Sequence, residues 1–177
     1  MPTVRELSEQ LWTGQITTQE YHPVAFSTRA GEEIADGVLF YKGIASANTI
    51  DTGDGLVMLD TGHVIDTSAL HEEVRKWRPG APLRAAVFSH HHVDHIFGVG
   101  PFEAEAQQQG WARPLVYGHE GLGWNFDRYK RTLGWNAALN RRQFATDAPQ
   151  SKWQEQYRHP DVTYQKRMPS TSRDLPF

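Results

Sequence analysis

Five side chains that can bind a metal ion lie within six residues of this sequence: His90, His91, His92, Asp94 and His95. Imidazole and carboxylate groups together suit zinc or a neighbouring transition metal, whereas calcium and magnesium prefer ligand shells made only of oxygen. If the backbone stays extended at first, His90 and His92 point to one side and His91 to the other. A turn after His92 then brings Asp94 and His95 to a second point. The spacing predicts two adjacent metal ions with two of these ligands each.

The segments on either side of the histidines are the elements that must position them. Residues 85–88 form an apolar run that is typical of a buried strand, and residues 96–100 contain two glycines that permit tight backbone at the rim of a site. A bare run of histidines could instead be a surface cluster that binds metal only by chance. The preceding strand and the fixed offset of Asp94 favour a built metal site.

The pattern of apolar residues elsewhere predicts an α/β (α+β) fold, a mixed sheet flanked by helices. Asp54-Gly55 is a hairpin signal between two of the strands, and Asp66 or Thr67 is the expected N-cap of the first helix, which Pro79-Gly80 ends. The predicted strands are residues 37–41, 48–51, 56–59, 85–88 and 114–117, with a further strand opening at 161–164. The predicted helices are residues 67–77 and 101–109, followed by a long helical region after Gly118.

The ligand pattern His90-x-His92-x-Asp94-His95 resembles the signature of the metallo-β-lactamase superfamily of metal-dependent hydrolases. Residues 55–62, Gly-Leu-Val-Met-Leu-Asp-Thr-Gly, resemble the motif that precedes it. The resemblance implies a four-layer αββα sandwich with the metals at the seam between two halves, of which this chain matches the N-terminal half. It also implies that Asp60 lies behind the metal ligands and holds the loop or one ligand. Taken alone, Asp60 is better interpreted as an ordinary turn residue.

Residues 118–144 are similar to the helical region of the alkyl sulfatase branch of that superfamily. A sulfate ester is anionic, so its site needs cationic and amide donors. Four side chains at helical spacing are candidates for binding it: Arg128, Asn136, Asn140 and Arg142. The alternative is the solvated face of an amphipathic helix. Four aromatic side chains offer a surface for an alkyl chain: Trp124, Phe126, Tyr129 and Trp135.

The resemblance implies a zinc-dependent hydrolase of sulfate esters that acts through a metal-bound hydroxide, with two zinc ions and Asp94 as the catalytic residue that also orients the nucleophile. The family's remaining ligands, including an acidic Gly-Glu-Thr motif, do not follow in this sequence, which leaves two ligands per metal where catalytic zinc has three. His63, His119 and Glu120 have no spacing that ties them to the site, and we favour structural roles for them. The alternatives are a truncated, catalytically inactive half-domain, or an interaction module completed by another chain or by a homo-oligomer.

Composition sets outer limits on function. The chain has 177 residues, a formal net charge of -3 and no cysteine. We therefore expect one globular domain, no nucleic-acid partner, and no disulfide or thiolate ligand. The alkyl sulfatase resemblance, and not the composition, implies a small anionic ester as substrate. Neither a secretory signal nor a membrane span is evident, so a cytoplasmic location is expected. The predicted division is an N-terminal arm (1–35), an incomplete metallo-β-lactamase-like domain (36–164) and a disordered tail (165–177).

Overall fold

The structure, a computed structural model, describes residues 2–22, 28–143 and 154–167. Within these ranges seven strands form one mixed sheet in the spatial order β1 to β7, which is also their order along the chain. The strands are β1 (Ala30–Ala35), β2 (Val38–Lys42), β3 (Ser46–Asp51), β4 (Leu56–Leu59), β5 (Leu83–Phe88), β6 (Leu115–His119) and β7 (Val162–Tyr164). The helices are α1 (Val4–Trp12), α2 (Thr67–Trp77), α3 (Val99–Gln109), α4 (Gly121–Arg131) and α5 (Leu133–Gln143), and a short 3-10 turn (Val64–Asp66) precedes α2.

The sheet changes from antiparallel to parallel pairing at β4. Strands β1 to β4 pair as successive hairpins, and β4 to β7 pair in parallel. The β3–β4 turn closes with a 3.0 Å bond from Thr52 N to Gly55 O, and Gly53 takes a left-handed φ of 84° there. Parallel neighbours need a crossover segment, and α2 and α3 provide it on either side of β5. The predicted mixed sheet with helices is confirmed.

The main core lies on the face of the sheet that the helices cover. Leu70 and Val74 of α2, Phe102 of α3 and Phe126 of α4 are fully buried there against side chains of the central strands. Burying each of these side chains contributes roughly 1.5 to 3 kcal/mol. The opposite face carries a smaller apolar cluster, which consists of Val57, Ala85 and Tyr117 with Val87 and Val162 beside it. The core thus fixes β4, β5 and β6, whose ends carry the site described below.

The structure differs from the sequence expectations at both ends of the sheet. The N-terminal arm contains a regular helix, α1, which begins with a capping box between Thr3 and Glu6. Strand β1 also falls in the residues assigned to the arm, and its pairing with β2 adds it to the sheet. Residues 168–177 of the expected disordered tail lie outside the described residues, while Gln165 contacts the end of β6.

The helices differ from the expectations in detail. Helix α3 begins at Val99, two residues before the expected start, and the long helical region is divided into α4 and α5 at Thr132. The Thr132 hydroxyl donates to the carbonyl of Arg128 at 2.9 Å, a back-bond that bends helices. None of the helices in the described ranges combines the length and the apolar character needed to cross a bilayer.

Asp66 shows that a predicted cap can serve the tertiary fold instead of its own helix. It occupies the N-cap position of α2 as expected, but its side chain makes no capping bond. The fully buried carboxylate accepts hydrogen bonds from the backbone N–H of Ile44 at 2.8 Å and from Arg29 Nε at 2.9 Å. Asp66 therefore ties the β2–β3 turn and the segment before β1 to the start of α2.

A charge network joins β7 to the rest of the domain. Arg158 lies 2.7 Å from Glu103 of α3 and 2.6 Å from Asp161, and the Asp161 carboxylate also accepts the backbone N–H of Val116 at 2.7 Å. Burial raises the pKa of Asp161, but the hydrogen bonds from Arg158 and Val116 outweigh it, and the pKa is lowered overall. The charged carboxylate therefore contributes stability above its unfolded pKa, and this is lost as the pH falls through the lower folded pKa.

We expect Asp161→Asn to lower the free energy of unfolding by about 1 to 3 kcal/mol at neutral pH, since it removes one of the two charged partners of Arg158. Urea unfolding followed at several pH values checks this, because the loss should shrink as the pH falls below about 4. Asp127→Asn is the control, since the Asp127 carboxylate is exposed and its ion pair with Lys130 is long, at 3.5 Å. A loss at Asp161 that is equally large in acid would contradict the assignment.

Candidate metal centre

Asp60 lies at the point where β4 ends, beside the end of β5. Its backbone N–H continues the parallel ladder with a 2.9 Å bond to Val87 O, and its φ of 54° then turns the chain out of the strand. Asp tolerates this left-handed conformation better than most residues because its short side chain can bond locally. Since Leu59 pairs with Val87, the Asp60 side chain is placed next to the residues that follow β5.

The loop between β5 and α3 is packed tightly onto the segment that follows Asp60. The Thr61 N–H donates to His95 O at 2.6 Å, and the Thr61 hydroxyl accepts the Gly98 N–H at 3.1 Å. Phe97 N–H donates to Gly62 O at 3.2 Å. Thr61 is fully buried. These bonds hold the histidine-bearing loop against the end of β4.

The four predicted ligands lie together in this loop. The ring centroids of His90 and His92 are 4.6 Å apart, and those of His90 and His95 are 4.4 Å apart. Asp94 Oδ2 lies 3.3 Å from His95 Nε2. His91 is farther from His90, at 6.4 Å, and its ring lies 5.5 Å from that of Tyr129 in α4. The four side chains therefore lie close together, with His90 about as near to His95 as to His92.

The Asp60 carboxylate accepts three hydrogen bonds inside this cluster. Its Oδ1 accepts the Ser89 N–H at 2.7 Å, and its Oδ2 accepts the Ser89 hydroxyl at 2.7 Å and lies 3.0 Å from His95 Nδ1. Potential ligand atoms of Asp60, His90 and His95 all lie within 4.8 Å of one another. Distance alone therefore groups Asp60 with two of the predicted ligands, while its hydrogen bonds occupy the carboxylate oxygens.

The electrostatics of the cluster follow from these contacts. Hydrogen bonds to Asp60 and then to Asp94 raise the pKa of His95 to about 9. Burial, followed by the charges of His95 and His92, lowers the pKa of His90. Burial opposes ionisation of Asp60 and Asp94, but hydrogen bonds to His95 hold the pKa of each below its usual value. Two ionised carboxylates thus flank His95 and favour a positive charge between them.

The other histidines considered as ligands have structural partners. Gly121 N–H donates to His119 Nδ1 at 3.0 Å, so His119 Nε2 carries the proton and donates to Gln165 O at 2.7 Å. Both ring nitrogens of His119 are therefore occupied. Glu120 accepts a bond from the Gln165 side chain at 3.0 Å. Nδ1 of His63 accepts the Ile65 N–H at 3.3 Å at the start of the 3-10 turn.

The predicted polar row of α4 and α5 forms a chain of internal hydrogen bonds. The Asn136 amide donates to Thr132 Oγ1 at 2.9 Å, and the Asn140 amide donates to Asn136 O at 3.0 Å. Asn136 is buried, whereas Arg142 is exposed. The Arg128 guanidinium lies 5.1 Å from the centre of the Tyr129 ring, and the His91 ring lies 5.5 Å from the same Tyr129 ring. Arg128 is the member of the row that these contacts connect to the metal loop.

The four aromatic residues expected to offer a surface for an alkyl chain divide into two pairs. Phe126 and Tyr129 are buried, and both stack near Tyr157 in the core. Trp124 and Trp135 are 64% and 67% exposed. Only the second pair presents open aromatic surface.

Two residues of the site had no role in the sequence analysis. Ser89 bonds to Asp60 and His90, and Thr61 joins the loop to β4. Their signal in the sequence is weak, because Asp60-Thr61-Gly62 reads as ordinary turn chemistry and a serine at a strand end is common.

Comparisons with known proteins identify the family of this chain. A sequence model described as the Metallo-beta-lactamase superfamily matches residues 41–152. The linear primary-alkylsulfatase of Pseudomonas sp. (strain ATCC 19151) is 39% identical over 75 residues, which are 41% of this chain and 14% of that protein. The alkylsulfatase resemblance is thereby confirmed, and the chain spans only a small part of that relative.

A solved alkylsulfatase structure shares the fold. The stereoselective inverting sec-alkylsulfatase Pisa1 from Pseudomonas sp. superposes with a TM-score of 0.50 at 23% identity, over 65% of this chain and 18% of that one. A metallo-beta-lactamase from Cronobacter sakazakii has a TM-score of 0.44 at 16% identity, over 56% of this chain and 38% of that one. Because the family match spans more than half of the sequence and includes both Asp60 and the histidine-rich loop, the chain belongs to the metallo-beta-lactamase superfamily.

Proposed function

We propose that this chain carries the zinc-binding part of a hydrolase that acts on sulfate esters or related small anionic esters. The observation that carries the proposal is the convergence of His90, His92, Asp94 and His95 in one loop, with Asp60 behind them. The sulfate ester is suggested by the 39% identity to a linear primary-alkylsulfatase.

The donor set fits zinc. Three imidazoles and a carboxylate are the ligand types that zinc prefers, and His90 with His92 and Asp94 with His95 would each hold one of two ions. Because His95 Nδ1 bonds to Asp60, which Ser89 also holds, its Nε2 is the nitrogen that would bind a metal, beside the fellow ligand Asp94 at 3.3 Å. The three hydrogen bonds on Asp60 support a role in holding His95 over direct ligation.

The residues in and around the loop would orient the attacking water and bind the ester, while zinc would activate the water. When bound, zinc supplies a Lewis acid that lowers the pKa of water and offsets the negative charge that grows on the ester. Asp94 would orient the attacking water as well as bind metal, since its carboxylate is partly exposed beside His95 Nε2. Arg128 and Arg142 would supply positive charge for the ester, while Asn136 and Asn140 would hold that row in place.

The first test is the zinc-to-protein ratio after gel filtration, followed by sulfate release from primary alkyl sulfates. We expect about two zinc ions per chain and metal-dependent turnover, and we expect His92→Ala to lose both. Zinc well below one per chain, with no turnover, would contradict the proposal and favour a catalytically inactive half-domain.

A second candidate is a site completed by another copy of the chain or by a different chain. It is favoured by the number of ligands that the loop itself offers, since two per metal leaves at least one position to fill in a catalytic zinc site. Leu59 and Leu115 add exposed apolar surface on the sheet face away from the helices. Light scattering during gel filtration tests this candidate, because zinc-loaded protein should elute as a dimer or larger species, and a zinc-loaded monomer would contradict it.

A further inference from the structure

The Ser89 hydroxyl lies between the Asp60 carboxylate and the first histidine of the loop. Its Oγ is 2.7 Å from Asp60 Oδ2 and 2.8 Å from His90 Nδ1. The same Asp60 oxygen lies 3.0 Å from His95 Nδ1. One carboxylate oxygen is thus connected to both histidines, directly to His95 and through a hydroxyl to His90.

Counting the protons gives this chain of bonds a direction. An ionised carboxylate only accepts hydrogen bonds, so the single hydroxyl proton of Ser89 must point to Asp60 Oδ2. The Ser89 oxygen then faces His90 Nδ1 with a lone pair, and the 2.8 Å contact requires a proton on that nitrogen. In neutral His90 the proton is therefore on Nδ1, and Nε2 has its lone pair free.

We propose that Ser89 is a positioning residue. Its hydroxyl relays the hydrogen-bonding effect of the Asp60 carboxylate to His90 and so selects the His90 tautomer whose Nε2 can bind metal. The inference rests on the proposed function in that it concerns the same zinc ligands. The relay orients the His90 ring as well, because the hydrogen bond fixes the direction of its Nδ1–H. Through this hydrogen bond the Asp60 carboxylate orients His90 as well as His95, which are predicted ligands of two different metal ions.

The hydroxyl acts separately from the backbone contact that anchors the loop. Ser89 N–H donates to Asp60 Oδ1 at 2.7 Å. This bond comes from the backbone of Ser89, so we expect it to remain when alanine replaces the serine side chain. Removing only the hydroxyl should therefore leave the end of β5 in place. Ser89→Ala tests the relay, Ser89→Thr restores a hydroxyl at the same position, and Ser68→Ala is a control on the exposed side of α2.

The first readout is the tautomer of His90 in the metal-free protein, measured from long-range nitrogen–proton NMR correlations at about pH 8, where ordinary histidines are neutral. We expect the Nδ1–H form in the wild type, Ser89→Thr and Ser68→Ala, and the Nε2–H form to gain population in Ser89→Ala. A wild-type His90 that carries its proton on Nε2 would overturn the proposal. This result needs neither bound metal nor turnover, so it is independent of whether the proposed hydrolase function holds.

The second readout is zinc affinity, measured by competition with a chromophoric chelator. We expect Ser89→Ala to bind zinc about 10- to 100-fold more weakly, with Ser89→Thr and Ser68→Ala close to wild type. Equal affinities in Ser89→Ala and the wild type would also overturn the relay. If the wild type binds no zinc, the proposed function fails and the tautomer measurement alone decides the role of Ser89.

Discussion

Replacing His95 by alanine is expected to weaken zinc binding by more than about 100-fold, a larger loss than the removal of an outer hydrogen-bonding partner causes. His95 bridges the two carboxylates of the cluster, since its Nδ1 lies 3.0 Å from Asp60 and its Nε2 lies 3.3 Å from Asp94. Its removal takes away one predicted ligand and the group that holds both carboxylates in place. Chelator competition and the zinc content after gel filtration measure the effect.

His91→Ala is the matched control for this substitution. His91 lies in the same loop, with its ring 5.0 Å from that of His92 and 5.5 Å from that of Tyr129, but it is not a predicted ligand. We expect this variant to keep the zinc content of the wild type. If His95→Ala retained zinc while His91→Ala lost it, the assignment of ligands within the loop would be wrong.

Gly98→Ala is expected to destabilise the fold by more than about 2 kcal/mol, because it forces apart two packed segments. A Cβ at this position would lie 2.1 Å from the backbone oxygen of Thr61 and 2.9 Å from Leu70 Cδ2. The carbonyl belongs to the segment that holds the metal loop, so the loop must move away from β4 to make room. Thermal or urea unfolding of the metal-free protein measures the loss, and zinc affinity should fall with it.

Gly100→Ala provides the comparison two residues further along. No heavy atom lies within 4 Å of a Cβ built at Gly100, and the residue is inside α3. Alanine there should be neutral or should stabilise by up to about 1 kcal/mol through its higher helix propensity. If the two variants had equal stability, the close approach of the loop to Thr61 would not be a real constraint on the fold.

The local elements could be predicted because their signals lie within a few residues of one another. Helix α2 spans Thr67–Trp77, as its apolar spacing and the Pro79-Gly80 stop indicated. The hairpin between β3 and β4 follows from Asp54-Gly55. By contrast, the polar spacing of α4 and α5 gave no indication that the amides bond within their own row.

The candidate ligands could be predicted for the same reason, since all four lie within six residues after a strand. Their hydrogen-bonding partners were not, because those partners come from a different strand. Asp60 and Ser89 are 29 positions apart, and they meet because β4 and β5 pair in parallel with Leu59 opposite Val87. The spacing of residues along the chain thus determined which side chains can bind metal. The register of two distant strands, which depends on packing of the whole core, decided how Asp60, Ser89 and Thr61 hold them.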